Sequence, residues 1–159
     1  LDRSNAFSSL KVLTEKPELG GRVAVIGGGL VGCETALAAA LGGADVTILE
    51  YLPCLLMTGQ EARNNTLALK AMLAKNNIKS ICGAAVMRVS EEGVVYCKDG
   101  AEYVVECDSV VTAVGFVSNS ELAAELEEKG YQVTVIGDAK APRKIINAVK
   151  EGLFAALDM

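Results

Sequence analysis

The segment RVAVIGGGLVGCE, residues 22–34, places Gly27, Gly29 and Gly32 at the spacing G-x-G-x-x-G. In this spacing the first glycine allows a tight turn, the second lets the backbone approach a pyrophosphate, and the third lets the following helix pack closely on the strand. The N-terminus of that helix offers unpaired N–H groups and a partial positive charge to phosphate oxygens. The spacing therefore predicts a dinucleotide site. The alternative is a glycine-rich strand–helix turn that binds no ligand.

Glu50 is the second residue whose position suggests nucleotide chemistry, since it ends the run DVTILE, 18 residues after Gly32. A carboxylate at the end of this strand accepts hydrogen bonds from the adenosine ribose hydroxyls and repels the 2′-phosphate of NADP(H). No Arg or Lys follows it until Arg63. We therefore expect a preference for NAD(H) of about 1–3 kcal/mol. The alternative is an exposed acid at a strand end with no ligand.

Glu34 lies two residues beyond the glycine loop, on the first turn of the predicted helix. Its spacing is equally consistent with complementing the helix dipole and with a place near the nicotinamide. Its neighbour Cys33 is expected to be a small buried residue. The five cysteines form no C-x-x-C pair and the sequence has no His, so neither a metal site nor a redox disulfide is predicted. No catalytic side chain is predicted either.

The elements around the loop predict the first half of a doubly wound sheet. Apolar, β-branched runs predict buried strands, and Ala-rich or periodic segments predict helices. The resulting β-α-β-α-β order consists of a strand at 22–26, a helix at 30–43 stopped by Gly42 and Gly43, a strand at 45–50, a helix from about Thr58 to Asn76, and a strand at 78–82. The second helix has a Thr58-x-x-Glu61 capping box and places Leu69, Met72 and Leu73 on one face.

The middle of the chain is predicted to form an antiparallel sheet, and its end to form a helix, a strand and a helix. Short strands within 84–90, 93–99 and 101–107 predict an antiparallel meander that leads back into the parallel sheet through 108–115. The last elements predicted are a helix near 119–129 with a Ser118-x-x-Glu121 capping box and Gly130 at its stop, a strand at 132–138, and a helix opened by Pro142. The predicted fold class is α/β, a Rossmann-like parallel sheet flanked by helices with an inserted antiparallel three-stranded meander.

Composition narrows the class of protein. With 159 residues, 51% hydrophobic and 4% aromatic, the chain is typical of a compact α/β protein. A net charge of −5 with scattered basic residues argues against a nucleic-acid surface, and no apolar run is long enough to span a membrane. An odd number of cysteines without an export signal favours the cytoplasm.

Several segments together resemble one family. VAVIGGGLVGCE with VTILE resembles the NAD(P)H-binding domain of the pyridine nucleotide-disulfide oxidoreductase superfamily, whose fingerprint G-x-G-x-x-G-x-E here ends at Glu34. DSVVTAVGF resembles the segment that closes over the nucleotide near Gly115. GDAKAPRKIINAVKEG resembles the second flavin motif, in which an Asp, here Asp138, binds the ribityl chain of FAD. The sequence of this last segment is most similar to that of 2-enoate and 2,4-dienoyl-CoA reductases. These are NADH:flavin oxidoreductases with an old-yellow-enzyme-like barrel.

The resemblance, which covers roughly residues 10–157, implies a domain of a longer parent protein, because a complete FAD site in this family needs a second glycine fingerprint. It divides the chain into a lead-in at 1–20, an NAD(H)-binding domain at 21–116, and a C-terminal helix–strand–helix segment of the flavin domain at 117–159. NAD(H) is the cofactor expected here, and FAD is expected only in the full-length parent. The contacts expected are Gly27, Gly28, Gly29, Leu30, Val31, Gly32, Glu34, Glu50, Tyr51, Ala113 and Gly115 for NAD, and Gly137 and Asp138 for FAD in the parent.

The function implied is to position NADH for hydride transfer to FAD in a parent that reduces enoate or dienoyl-CoA double bonds. The expected partners are NADH and the remaining FAD and catalytic domains of the parent. Exposed apolar positions such as Val117, Leu153 and Phe154 could contact such a domain, and the isolated chain is expected to be a monomer or weak dimer.

Three other functions fit parts of the sequence. A free-standing NAD(H)-binding or sensing module has the same fold but no reason to keep the flavin-binding Asp138. A dehydrogenase complete in itself would need a proton relay, and the chain has neither a Tyr-x-x-x-Lys pair nor a His. SAM-dependent methyl transfer also uses a glycine loop and a strand-end acid.

Overall fold

The computed structural model describes residues 5–57 and 63–158, and the chain divides into two compact units between Val114 and Gly115. The strands are β1 Ala6–Ser8, β2 Arg22–Ile26, β3 Asp45–Glu50, β4 Lys79–Cys82, β5 Ala85–Val89, β6 Gly93–Lys98, β7 Ala101–Glu106 and β8 Ser109–Thr112. The helices are α1 Ser9–Glu15, α2 Leu30–Leu41, α3 Arg63–Lys75, α4 Glu121–Glu128 and α5 Ile145–Leu157, with a 3₁₀ turn at Gly137–Ala139.

Five strands of the first unit form a parallel sheet in the order β1-β8-β2-β3-β4. Its central strands are the apolar runs of the sequence, and Val25, Ile48 and Val111 are completely buried. Burial on both faces is what a parallel sheet requires and what such runs provide. The predicted Rossmann-like α/β class is confirmed.

The two faces of this sheet have different covers, and the alternation of side chains along β2 assigns them. Val23 and Val25 point into a cluster with residues of α2 and α3, such as Leu37 and Leu73. Ala24, between them, points into a second cluster with residues of the antiparallel sheet. Because successive strand residues face opposite sides, the inserted sheet takes the place of a second helical layer.

That second sheet has the order β5-β6-β7, antiparallel throughout, as the meander prediction requires. Asp99 and Gly100 join β6 to β7 with φ of 51° and 80°, the two positive values of a type I′ hairpin turn. β8 then runs parallel to β2, so the predicted return into the main sheet is also confirmed.

Residues 6–15, which belong to the lead-in expected from the sequence, form the strand β1 and the helix α1. β1 extends the parallel sheet by pairing with β8, Ala6 opposite Val110. Ser8 caps α1 by accepting a hydrogen bond from the N–H of Lys11 at 3.2 Å, and Val12 is buried in the core. A three-residue strand is too short to show a period in sequence.

Helix α3 agrees with prediction only in part. The capping box at Thr58 and Glu61 lies outside the described residues. Leu69 and Leu73 are buried as predicted, whereas Met72 is 46% exposed. Consecutive residues on a helix are about 100° apart, so Met72 is turned away from its neighbour Leu73.

The second unit departs further from prediction. Its first helix begins at Glu121 with Ser120 at the N-cap, and the N–H of Glu121 is bonded by the Asn119 side chain, so the capping box expected at Ser118 is wrong. Gly130, with φ of 82°, follows the end of the helix as predicted.

The strand expected at 132–138 is absent from the described structure, in which residues 131–136 have no regular secondary structure. Its residue types favour a strand, but a strand needs a neighbour, and no described strand pairs with this segment. The last helix begins at Ile145 with Lys144 as its N-cap, three residues beyond Pro142, and this corrects the predicted start.

Burial differs between the units. Among the described residues of the second unit no apolar side chain is buried, and Val117, Leu153 and Phe154 are 93%, 58% and 61% exposed. No helix in the described ranges is long and apolar enough to cross a membrane.

Candidate functional site

The glycine loop connects β2 to α2 at the carboxyl end of the parallel sheet. Gly27 has φ of 105°, and a Cβ on it would lie 2.5 Å from the carbonyl oxygen of Ala113. Its N–H donates to the carbonyl of Leu49 at 2.8 Å, and the N–H of Ala113 donates to the carbonyl of Ile26 at 2.8 Å. The turn therefore requires a glycine at this position, as the spacing predicts.

Gly32 is the third residue of α2, and close packing leaves no room for a side chain at this position. A Cβ there would lie 1.9 Å from the carbonyl oxygen of Gly27, a backbone atom that cannot move aside. The helix thus starts in direct contact with the turn, which confirms the role predicted for the third glycine.

Gly29 is different, since a Cβ on it would meet nothing within 4 Å. It is the N-cap of α2, with φ of −71°, and no side chain caps the helix there. Leu30 and Val31 follow as the first two helical residues. The loop therefore leaves open space at the position predicted to let a pyrophosphate approach, next to helical N–H groups that attract anions.

Glu50 ends β3 and is 8% exposed. One carboxylate oxygen accepts a hydrogen bond from the N–H of Gly28, and the other accepts from the N–H of Leu52 at 2.7 Å. Glu50 is therefore buried, and not exposed as the alternative without a ligand supposes. A carboxylate offers about four acceptor positions, so two donors leave room for further hydrogen bonds.

Leu55 and Leu56, in the segment that follows β3, pack onto the glycine loop, and the sequence did not predict this contact. Leu56 is buried, and its N–H donates to the carbonyl of Gly28 at 2.9 Å. A Cβ on Gly28 would lie 2.4 Å from a methyl of Leu55. The apolar run LPCLLM at 52–57, shortly after the strand, is the sequence feature that could have predicted this packing. Tyr51, a predicted NAD contact, is 74% exposed at the start of this segment.

Cys33 is completely buried beneath the loop, as expected, and its thiol donates to the carbonyl of Gly28 at 3.4 Å. Burial raises the pKa of Cys33 to about 12, with the neighbouring charge of Glu50 as a second cause. The pKa of Cys82 is raised for the same two reasons. Both thiols are protonated at neutral pH.

Glu34 is the fifth residue of α2 and is exposed. The sequence places it on the first turn, and the structure corrects this. Because the dipole effect falls off within the first turn, the structure gives little support to the dipole alternative. In the first unit the predicted residues Gly27–Gly32, Glu50 and Ala113 come together around one loop, with Tyr51 at its edge. Gly115, with φ of 99°, opens the second unit.

The second unit holds the two residues expected to contact FAD. Gly137 is buried with φ of 62°, and a Cβ on it would lie 3.2 Å from that of Ala148. Its N–H donates to a carboxylate oxygen of Glu151 at 2.8 Å. Asp138 is exposed and accepts a hydrogen bond from the N–H of Arg143 at 3.3 Å. Sequence reasoning did not single out Arg143 or Glu151.

Residues 5–155 match the family described as pyridine nucleotide-disulphide oxidoreductase, so the chain belongs to that family. It is 33% identical over 144 residues to a cinnamate reductase of Clostridium sporogenes, covering 90% of this chain and 22% of the relative. It is 38% identical over 148 residues to an NADH oxidase of Thermoanaerobacter brockii, covering 92% and 22%.

A solved structure of 2-naphthoyl-CoA reductase with 2-naphthoyl-CoA has the same fold, with a TM-score of 0.83 and 29% identity over 95% of this chain and 23% of that one. The chain therefore spans less than a quarter of the length of these relatives. The chain is thus a domain of the pyridine nucleotide-disulphide oxidoreductase family, and its named relatives are oxidoreductases.

Proposed function

We propose that this chain is the NADH-binding domain of a multi-domain flavin-dependent oxidoreductase and positions NADH for hydride transfer to FAD. The observation that carries the proposal is the open space at Gly29, at the N-terminus of α2, beside the buried carboxylate of Glu50. Cinnamate reductase and 2-naphthoyl-CoA reductase are named for unsaturated substrates, and this similarity supports a parent that reduces enoate or dienoyl-CoA double bonds.

The residues of the loop suit the groups of the nucleotide. The pyrophosphate would lie against Gly27–Gly32 and accept hydrogen bonds from the N–H groups at the N-terminus of α2, because the space beside Gly29 is open. Glu50 would accept hydrogen bonds from the ribose hydroxyls. Glu34, Tyr51, Ala113 and Gly115 complete the proposed NAD contacts, and Gly137 and Asp138 are the proposed FAD contacts in the parent.

The chain's own contribution to the reaction is position and electrostatics. When bound, NADH would supply a hydride and FAD would accept it, so that transfer would need no side-chain acid or base of this chain. The glycine loop and Glu50 would fix the nucleotide, and Leu55 and Leu56 cover the buried Gly28. Holding a reactant in one geometry lowers the entropic part of its barrier.

Glu50 also sets the proposed preference for NADH. Its carboxylate is buried and already hydrogen-bonded, so it cannot swing away from a 2′-phosphate without leaving the N–H groups of Gly28 and Leu52 unpaired. Leaving such groups unpaired costs about 1–3 kcal/mol each.

The test is a fluorescence titration of the chain with NADH and with NADPH. We expect saturable binding of NADH that is at least tenfold tighter than that of NADPH. Gly29→Ala should weaken NADH binding at least tenfold without changing the melting temperature, because the new methyl group fills the open approach. Gly21→Ala is the matched control: Gly21 precedes β2, and a Cβ there meets only an ordinary contact, 3.6 Å from Asp108.

Equal or tighter binding of NADPH would overturn the preference assigned to Glu50. If the folded chain bound neither nucleotide, the assignment of this loop as a self-sufficient nucleotide site would be wrong. If Gly29→Ala and Gly21→Ala lowered affinity equally, the open space at Gly29 would not be where the nucleotide binds.

A further inference from the structure

Glu151 lies in the middle of α5, and its side chain is only 19% exposed. One carboxylate oxygen accepts a hydrogen bond from the N–H of Gly137 at 2.8 Å, and the other forms an ion pair with the guanidinium of Arg143. The ammonium of Lys140 lies 4.0 Å from the same carboxylate. Three partners from one short stretch of chain, residues 137–143, thus converge on a single side chain of the helix.

The turn at Gly137–Ala139 rests directly on α5. Gly137 is buried, its φ of 62° is in the left-handed region, and a Cβ on it would crowd Ala148 of the same helix. The preceding residues 131–136 have no strand partner among the described residues. The position of the turn is therefore set by its contacts with α5, which include the hydrogen bond from the N–H of Gly137 to Glu151.

Arg143 extends this link to Asp138. Its guanidinium pairs with Glu151, and its backbone N–H donates to the Asp138 carboxylate at 3.3 Å. The hydrogen bond from Arg143, followed by the N–H of Gly137, lowers the pKa of the Glu151 carboxyl. The carboxylate is charged at neutral pH and can accept from both partners at once.

We propose that Glu151 is a positioning residue for flavin: it holds the Gly137–Ala139 turn and Arg143 so that the exposed carboxylate of Asp138 is presented in one fixed place. The inference rests on the proposed function, in which Gly137 and Asp138 contact FAD. It adds a residue that touches no flavin itself and acts through two others.

The first experiment measures hydrogen exchange of the chain by mass spectrometry, which does not depend on flavin. Glu151→Ala should speed exchange of the amides of residues 137–141 at least tenfold, while β2 and β3 are unchanged. Alanine favours helix, so α5 should be retained. Glu151→Gln keeps an acceptor oxygen for Gly137 and should restore part of the protection. Lys150→Ala, at an exposed neighbour on the same helix, is the matched control and should change nothing.

The second experiment places the same substitutions in the full-length parent and titrates its flavin-free form with FAD, followed by flavin fluorescence. Glu151→Ala should weaken FAD binding by the parent at least fivefold, Asp138→Asn should do the same, and Glu151→Gln should recover part of the affinity. Unchanged exchange at 137–141 in Glu151→Ala would overturn the positioning role.

Two results of the flavin titration separate the proposals. If Glu151→Ala speeds exchange but neither it nor Asp138→Asn weakens FAD binding by the parent, the flavin assignment of this segment fails, and Glu151 holds the turn for another reason. If FAD binds and only Asp138→Asn weakens it, the proposed function stands and the positioning role is wrong.

Discussion

Gly29 and Gly32 show how differently two residues of one loop respond to the same methyl group. A Cβ on Gly32 would lie 1.9 Å from a backbone oxygen, whereas one on Gly29 would meet nothing. We expect Gly32→Ala to lower the free energy of unfolding by about 3 kcal/mol, near the upper end for overpacking. Gly29→Ala should change it by less than about 1 kcal/mol. Urea unfolding of both variants checks this, and equal losses would contradict the steric argument.

Cys33 and Cys54 should differ sharply in their reaction with iodoacetamide. Cys33 is completely buried and its pKa is raised to about 12, whereas Cys54 is exposed. Only the thiolate reacts, and each pKa unit above the ambient pH lowers its fraction about tenfold. At pH 8 we expect mass spectrometry to find Cys54 modified first and Cys33 only after unfolding in urea. Modification of both at similar rates in the folded chain would contradict the buried placement of Cys33.

At this scale the sequence predicted the residues whose role is local. The glycine spacing identified Gly27 and Gly32 because their constraints come from the turn itself and the helix next to it. It did not predict that Glu50 would bond the N–H of Gly28, or that Leu56 would pack on the loop, because these contacts join residues far apart in the chain. Such contacts depend on how the elements meet rather than on any local pattern.

Among the elements, prediction succeeded where an apolar run was long and had partners in the chain. β2, β3, α2 and the three-stranded meander are where the sequence places them. β1 was missed because three residues carry no period, although β8 gives it a place in the sheet. For the segment 131–136 the prediction is wrong for the opposite reason. Its β-branched residues favour a strand, but no described strand pairs with it.

Arg22 and Asp108 join the beginnings of two adjacent elements, β2 and β8. One carboxylate oxygen of Asp108 accepts the backbone N–H of Arg22 at 2.8 Å, and the other pairs with its guanidinium at 2.9 Å. The side-chain hydrogen bond from Arg22, followed by the backbone one, lowers the pKa of the Asp108 carboxyl. A pKa that is lower in the folded than in the unfolded state stabilises the fold above the unfolded value, and this contribution is lost as the pH falls through the folded one.

We therefore expect the melting temperature of the chain to fall as the pH is lowered from 5 towards 3, and Asp108→Asn to show a smaller fall over the same range. Part of the fall comes from other carboxylates, so the comparison between variants is the measurement. Asp99→Asn, in the exposed β6–β7 turn, is the matched control, because Asn also adopts the positive φ found there. Identical pH profiles for Asp108→Asn and the unaltered chain would show that the pair does not stabilise the fold.

In the molecule as a whole, the two units differ in how they are stabilised. The first buries apolar side chains on both faces of its parallel sheet. In the described part of the second, α4 and α5 bury none, and the largest apolar side chains of α5, such as Ile145 and Phe154, are exposed. Burial of apolar surface is the main source of stability, so the second unit has little of its own.

Hydrogen exchange should therefore divide the chain at the boundary near Val114. We expect amides of α5 to exchange at least tenfold faster than those of β2, β3 and β8, because local opening exposes little buried surface in α5 and much in the sheet. Raising the protein concentration provides the control. If exchange in α5 slows as concentration rises, its apolar side chains are covered by a second copy, and the weak dimer expected from the sequence forms there. If α5 is as protected as β2 at every concentration, the second unit has a stability that its exposed side chains do not explain, and the argument from burial is wrong.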